Sequence, residues 1–325
     1  MRKTLGYVRR TIEAPFRYFR GRMILSRYTE YYRSAQRVFI EEGNSPGLDI
    51  TPPKKLGVRV VFFDDKKNFI RLPATYPQLV KRVAASVEAL FDRTEECSFF
   101  PQLPTGPVPE RLDEVAAIKS GEVISIQLNK PLATEGLEDL CSPIIQELED
   151  KVYGSYALVD KIYIYRNPVS RRTRQVSWLW HYDNHPHEIL KVMIYLNDVS
   201  DCNAPFEYLR SRDSRTAVSG SPVAPLFGHS RISDEALTRY LSNGAEPFRV
   251  IGPKGTMIVF DNNMIHKANL ASEGHRDVLI FQVRPMATRT KRYIDPRWTG
   301  SFQHVPFNID PYDLKPSIAE AERSD

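Results

Sequence analysis

The stretch Ser177–Leu196, SWLWHYDNHPHEILKVMIYL, holds three of the chain's seven histidines within seven residues, with Asp183 among them. Alternation decides how it is read. Residues i and i+2 of an extended strand lie on one face, so His181 and Asp183 project together if WLWHYD is a strand end. Trp178 and Trp180 have the other parity. Pro186 and its polar neighbours end that strand. LKVMIYL then reads as a second strand, with Lys191, Met193 and Tyr195 on one side and Val192, Ile194 and Leu196 on the other. One imidazole and one carboxylate on a rigid strand are two members of a facial metal triad, and the third must come from elsewhere in the chain.

His266 is the best-placed third ligand. It ends the apolar run GTMIVFDNNMIH, and Arg276 opens RDVLIFQV ten residues later, across a short loop. These two strands are expected to pair as neighbours, with Arg276 deeper in the same barrel. Two histidines and one carboxylate leave three metal positions open on one face. Non-haem iron(II) needs that arrangement to take a bidentate cosubstrate and dioxygen. A guanidinium beyond the metal can hold the far carboxylate of a dicarboxylate by paired, charge-assisted hydrogen bonds. The cosubstrate suggested by His181, Asp183, His266 and Arg276 together is 2-oxoglutarate.

The surrounding chain is strand-rich. From Tyr156 onward YALVDKIYIYRNP, RQVSWLWHYD, ILKVMIYLNDV, APFEYL, PFRVIG, GTMIVFDNN and HRDVLIFQVRP alternate with turn residues, which argues for a closed or sandwiched all-β body. Residues 210–246 form a polar insertion with one helical piece, SDEALTRYL, of the kind used as a lid or substrate loop. Upstream, LGVRVVFF, DDKK and NFIRLP read as strand, turn and strand. YPQLVKRVAASVEALFDR and GLEDLCSPIIQELEDKVYG read as helices, the second stopping at Gly154, and GEVISIQL reads as a strand. The expected organisation is a helical N-terminal segment over residues 1–50, a β domain with a helical N-terminal part over 51–310, and a polar tail over 311–325.

Composition narrows the function. Hydrophobic residues make up 42% and charged residues 26%, enough apolar material for a sizeable core. No run approaches the roughly 18 apolar residues of a membrane span, and no charged-then-apolar leader is visible. The three cysteines match no metal or redox spacing, so reduced thiols in a cytoplasmic protein are expected. The net charge of +5 is unevenly placed: residues 1–40 carry ten Lys/Arg against two Glu, and the rest carries 35 bases against 38 acids. A body without excess positive charge argues against nucleic acid as a partner. In the N-terminal segment Leu5, Val8, Ile12, Phe16, Phe19 and Met23 share one helical face, with arginines around it. Three readings stay open: a helix packed on the domain, peripheral contact of residues 1–40 with an anionic membrane, and a transit peptide. Membrane contact would favour a lipid-linked substrate over a free small molecule.

The two segments WHYDNHPHEILKVMIYLNDVSDCNAPFEYL and GTMIVFDNNMIHKANLASEGHRDVLIFQ resemble the phytanoyl-CoA dioxygenase family of iron(II)/2-oxoglutarate oxygenases. The resemblance covers roughly residues 155–285. It rests on the H-x-D pair, the Leu-Lys-Val strand, the YLNDV turn, the distal histidine and the arginine ten residues on. It implies a double-stranded β-helix (a jelly roll, cupin-like), mainly β with flanking helices. It implies Fe(II), 2-oxoglutarate and O2 as cofactor and cosubstrates, with release of succinate and CO2. Family halogenases replace the carboxylate with a small residue. Asp183 is present, so hydroxylation or a related two-electron oxidation is the outcome implied. Where members often carry a glycine before a proline after the DV turn, this chain has Ala204-Pro205.

The resemblance also places Tyr195 on the wall of the cosubstrate pocket. Lys191 would then point inward, where an ammonium demands an anionic partner. Contact with substrate or 2-oxoglutarate is one reading, and a lysine snorkelling at a sheet edge is the other. Tyr163 and Tyr165 share a face of their strand, as a 2-oxoglutarate contact or as core packing. His185 and His187 fall on the loop around Pro186, with substrate contact as their functional reading. Two further function classes use the same residues differently. A cupin-type hydrolase or isomerase would put zinc on the triad and have no need of Arg276. A non-catalytic, membrane-associated β-domain protein would bind no metal.

Overall fold

A computed structural model describes residues 28–46, 50–100, 118–174, 176–183, 185–210, 231–232, 237–238, 241 and 246–295. Most of the 210–246 insertion, the polar tail, and residues 1–27 with the Leu5–Met23 face lie outside the described residues.

The strands are β1 (Val58–Val61), β2 (Cys97–Phe100), β3 (Ser125–Leu128), β4 (Tyr156–Pro168), β5 (Trp180–His181), β6 (Leu190–Tyr195), β7 (Phe206–Tyr208), β8 (Arg231–Ile232), β9 (Phe248–Val250), β10 (Met257–Asp261), β11 (His266–Lys267) and β12 (His275–Met286). They form two antiparallel sheets. The larger runs β1-β10-β6-β12-β4-β3-β2 and the smaller β8-β5-β11-β7-β9. From β4 to β12 the chain passes back and forth between the sheets. The central order β10-β6-β12-β4 stands against β5-β11-β7-β9, which is the winding of a double-stranded β-helix. β1 extends the large sheet at one edge, and β3 and β2 extend it at the other.

Alternation sorts the side chains into layers. Met193, Tyr195, Val278, Ile280, Ile258 and Phe260 of the large sheet pack with Phe206 and Val250 of the small one, filling the space between the sheets. The other parity of the same strands, Val192, Ile194, Leu279, Phe281 and Val259, packs against helices. With both faces covered, the central strands become near-continuous apolar runs. α1 spans residues 28–41, α2 is the single turn Pro53–Leu56, α3 is Tyr76–Phe91 and α4 is Leu137–Leu148. α3 has a proline in its first turn and buries Tyr76, Val80, Val83, Val87 and Phe91. Those steps of three and four make one apolar stripe. α4 continues into a π-turn that stops at Gly154, where φ is +58°, a left-handed stop that suits glycine.

α1 belongs to the body. Tyr28, Tyr32, Ala35 and Phe39 are buried, the Tyr32 hydroxyl donates to the Tyr153 carbonyl at 2.7 Å, and Phe39 meets Tyr156 edge-on. This part of the N-terminal segment therefore packs on the domain. Among the described residues no helix is long and apolar enough to cross a membrane. Cys97, Cys141 and Cys202 form no disulfide.

Three sequence expectations are corrected. NFIRLP is not a strand: among the described residues β1 pairs only with β10. Ile70 is buried in the helix-side core, and Asn68 donates to the Phe62 carbonyl, so these apolar residues anchor a loop. Asp183 lies just past its strand, because β5 ends at His181. Finally, His266 and Arg276 are not on paired strands. β11 sits between β5 and β7, and β12 between β6 and β4. The chain crosses from one sheet to the other over residues 262–265. Met264 and Ile265 are buried in that crossing, and they disguised it as a continued strand.

Candidate metal and cosubstrate site

β5 and β11 are adjacent and antiparallel, with His181 directly opposite His266. The imidazoles stand side by side, their centroids 4.3 Å apart. The Nδ1 of His181 faces the Leu179 carbonyl at 2.8 Å, and the Nδ1 of His266 faces the Met264 carbonyl at 2.7 Å. A carbonyl only accepts, so each Nδ1 carries the proton. That fixes each neutral ring with the Nε2 lone pair available, the form and orientation a metal ligand requires. Both Nε2 atoms look toward Asp183, at 3.8 Å for His181 and 3.9 Å for His266. Asp183 is placed by its own backbone, whose N–H donates to the Asn262 carbonyl at 2.9 Å. The three ligand atoms all lie within 4.8 Å of one another. Two neutral imidazoles and one carboxylate on one face are a donor set suited to a divalent transition metal.

Lys191 points into the same space, with Nζ 2.6 Å from Asp183 Oδ2. Burial alone would push the Asp183 carboxyl up. Lys191, His266, His181 and His185 outweigh it and hold the group well below the ordinary carboxylate range. Asp183 is therefore ionised, as a ligand must be.

The site opens into a cavity of about 460 Å³ between the sheets, whose walls include His181, Asp183, His266, Lys191, Tyr163 and Arg276. Arg276 is among the largest fully buried side chains. Its Nη2 donates to Asn167 Oδ1 at 2.9 Å, while Nε and Nη1 are buried and meet no acceptor. Burial pulls the guanidinium below its ordinary value, and the neighbouring Tyr195 and Tyr165 act against that pull. A buried cation with two unmet N–H donors is costly. A carboxylate delivered into the cavity would satisfy both.

Other expected site residues fall in different places. Tyr163 lines the cavity beside Tyr165. Tyr195 lies against Arg276, and its hydroxyl donates to the Val250 carbonyl at 2.8 Å, accepts from the Phe206 N–H at 3.1 Å and also supports the guanidinium. It is therefore not on the cavity wall. His185 and His187 are not on that wall either. The backbone N–H and carbonyl of His185 are clasped by the Asn263 side chain, and His187 Nδ1 lies 2.7 Å from Asp261 Oδ2. Pro186 turns this loop against the 261–263 turn, so neither ring lines the cavity, although the His185 imidazole stays near enough to Asp183 to act on its carboxyl.

Among the cavity residues that sequence reasoning missed, three bear on the chemistry. Asn167 pairs with Arg276 in the β4–β12 register and could have been found by laying those two strands side by side. Gln127 and Trp178 also line the cavity, and their Nε2 and Nε1 are buried without acceptors. No local motif marks either one. A second group of potential ligands, Glu88, His275 and Asp277, is spanned by Arg166, which takes both Asp277 oxygens and Glu88.

No protein-family model matches the chain, and no curated protein matches it. Solved structures do match. EctD from S. alaskensis with bound Fe matches at 16% identity over 76% of this chain and 80% of that one, with a TM-score of 0.42. HygX from Streptomyces hygroscopicus, with nickel and 2-oxoglutarate bound, matches at 13% identity over 71% and 83%, with a TM-score of 0.39. SnoN, a non-haem α-ketoglutarate-dependent epimerase from nogalamycin biosynthesis, matches at 17% identity over 62% and 84%, with a TM-score of 0.38.

Proposed function

We propose that this chain is an iron(II)- and 2-oxoglutarate-dependent oxygenase that hydroxylates a small organic substrate. The observation that carries the reading is Arg276, a buried guanidinium with two unmet N–H groups, on the same cavity as the His181, Asp183 and His266 triad. The triad would hold iron by three ligands and leave the other face free. Arg276, with Gln127 and Trp178 as further donors, would receive the far carboxylate of 2-oxoglutarate, and Asn167 would keep the guanidinium in place. When bound, the iron supplies the oxidative decarboxylation of 2-oxoglutarate to succinate and CO2 and the oxidation of substrate. The residues of the chain orient the cosubstrate, keep both imidazoles neutral and exclude water from a cavity walled by Phe206, Phe260, Met193 and Ile280. A zinc hydrolase built on the same triad gives Arg276 nothing to bind. Neither it nor a metal-free binding domain accounts for donors left unmet in the core.

The test is turnover of the cosubstrate alone. Protein purified without oxygen, then given iron(II), oxygen and labelled 2-oxoglutarate, is expected to form succinate slowly even without substrate. Absence of succinate, together with absence of iron-dependent 2-oxoglutarate binding, would overturn the proposal.

A further inference from the structure

We infer that the substrate carries a single negative charge, most simply a carboxylate on an apolar body, and that Lys191 is the residue that recognises it. The inference rests on the oxygenase reading and deepens it.

Charge supplies the first step. Among the described residues, and the neutral histidines aside, the acidic and basic side chains on the cavity wall are Asp183, Lys191 and Arg276. A divalent metal and doubly charged 2-oxoglutarate cancel each other, and Asp183 cancels one of the two cations. One positive charge is left over. A cation enclosed without a counter-ion is strongly disfavoured, so the loaded site is complete only when something else brings a negative charge.

Position supplies the second. Lys191 lies opposite Gln282 on β12, six residues along that strand from Arg276. At the rise of an extended strand the two positions are separated by about 20 Å, and the triad's Asp183 lies at the Lys191 end, 2.6 Å from its Nζ. A five-carbon diacid chelated to the metal and held at Arg276 extends away from Lys191. The ammonium is therefore on the opposite side of the metal from the cosubstrate's far end, where a substrate would enter. In this structure Nζ rests on Asp183 Oδ2 at 2.6 Å. Once Asp183 shares its charge with a metal, that contact weakens and Nζ can serve a second acceptor.

Surroundings supply the third. The cross-strand neighbour of Lys191 on β10 is Phe260, and Met193 follows on the same face of β6. Both line the cavity, as do Phe206 and Ile280. An anionic group set in this neighbourhood would be carried by an apolar frame.

The experiment uses the full chain loaded anaerobically with iron(II) and saturating 2-oxoglutarate. Benzoate and hexanoate are titrated by calorimetry against benzamide and hexanamide, which share their shapes without the charge. The wild type and Lys191→Arg are expected to bind the carboxylates roughly tenfold or more tighter than the amides, as a charge-assisted hydrogen bond allows. Lys191→Met is expected to lose that preference while its own 2-oxoglutarate affinity stays within about threefold, below the loss of one charged contact. Equal binding of acids and amides by the wild type would overturn the inference, as would no carboxylate binding at all or a preference that survives in Lys191→Met. Loss of 2-oxoglutarate binding in Lys191→Met would instead assign Lys191 to the cosubstrate and overturn the inference in that way. Failure of the wild type to bind 2-oxoglutarate before any probe is added would overturn the oxygenase reading itself, and the inference with it.

Discussion

At the scale of single residues the site depends on proton placement. His181 and His266 each give Nδ1–H to a backbone carbonyl, so no second ionisable group is needed to hold their tautomers. Among the described residues Asp183 is the acid that both Nε2 atoms face. Replacing His181, Asp183 or His266 by alanine is expected to weaken Mn(II) or Fe(II) binding by at least about 100-fold, beyond what loss of an outer partner costs, as read by equilibrium dialysis with metal analysis. Arg276→Met is expected to leave metal binding intact and to weaken 2-oxoglutarate by about 10- to 100-fold, the worth of charged hydrogen bonds. Equal metal loss in both sets would contradict the division of labour. His187 supplies a control outside the cavity. Its hydrogen bond to Asp261 raises its pKa above the ordinary histidine value, against the opposing effect of burial. A raised value means that the bound proton stabilises the fold. That contribution is complete below the ordinary histidine pKa and disappears as pH rises through the raised one. NMR titration should find His187 above the free value in the wild type and nearer to it in Asp261→Asn.

At the scale of elements the double parity of β6 was legible in the sequence, because one face meets helices and the other the space between the sheets. Lys191, Met193 and Tyr195 separate from Val192, Ile194 and Leu196 just as alternation requires. The crossing at residues 262–265 was not legible. Met264 and Ile265 continue an apolar run, and period-two reasoning cannot tell a strand from a buried crossover. Gln127 was hidden for another reason: it reaches the cavity because β3 joins the far edge of the large sheet, a long-range pairing without a local signal. Trp178 was set on the other side by strand parity, but it lies in a short helical turn before β5, where alternation does not hold. His181 and Asp183 were expected to project together, and their side chains do meet although Asp183 lies outside the strand, because the turn after β5 keeps its carboxylate beside the two imidazoles. One element carries strain that can be measured. Ala204 has φ of +60° and is fully buried before Pro205, in the left-handed region where a Cβ costs roughly 1–2 kcal/mol. Ala204→Gly is expected to stabilise the protein by up to about 1 kcal/mol, after the entropic cost of glycine. A loss of stability in thermal or denaturant unfolding would show that the buried methyl outweighs the strain.

At the scale of the whole molecule the sandwich does two things at once. It buries the large sheet between helices and its partner sheet, and it leaves between the sheets a cavity of about 460 Å³ with a metal-type triad and a buried arginine on its walls. Buried donors without acceptors are rare in a folded core, and three of the residues that line this cavity have them. The proposed cosubstrate, rich in acceptors, would meet these donors. The most direct measurement is calorimetric titration of 2-oxoglutarate into anaerobic protein, with and without one equivalent of Fe(II) or Mn(II). Binding of one 2-oxoglutarate per chain only when metal is present, lost in Asp183→Ala and weakened in Arg276→Met, is the expected result. Metal-independent binding, or no binding with the metal in place, would contradict it.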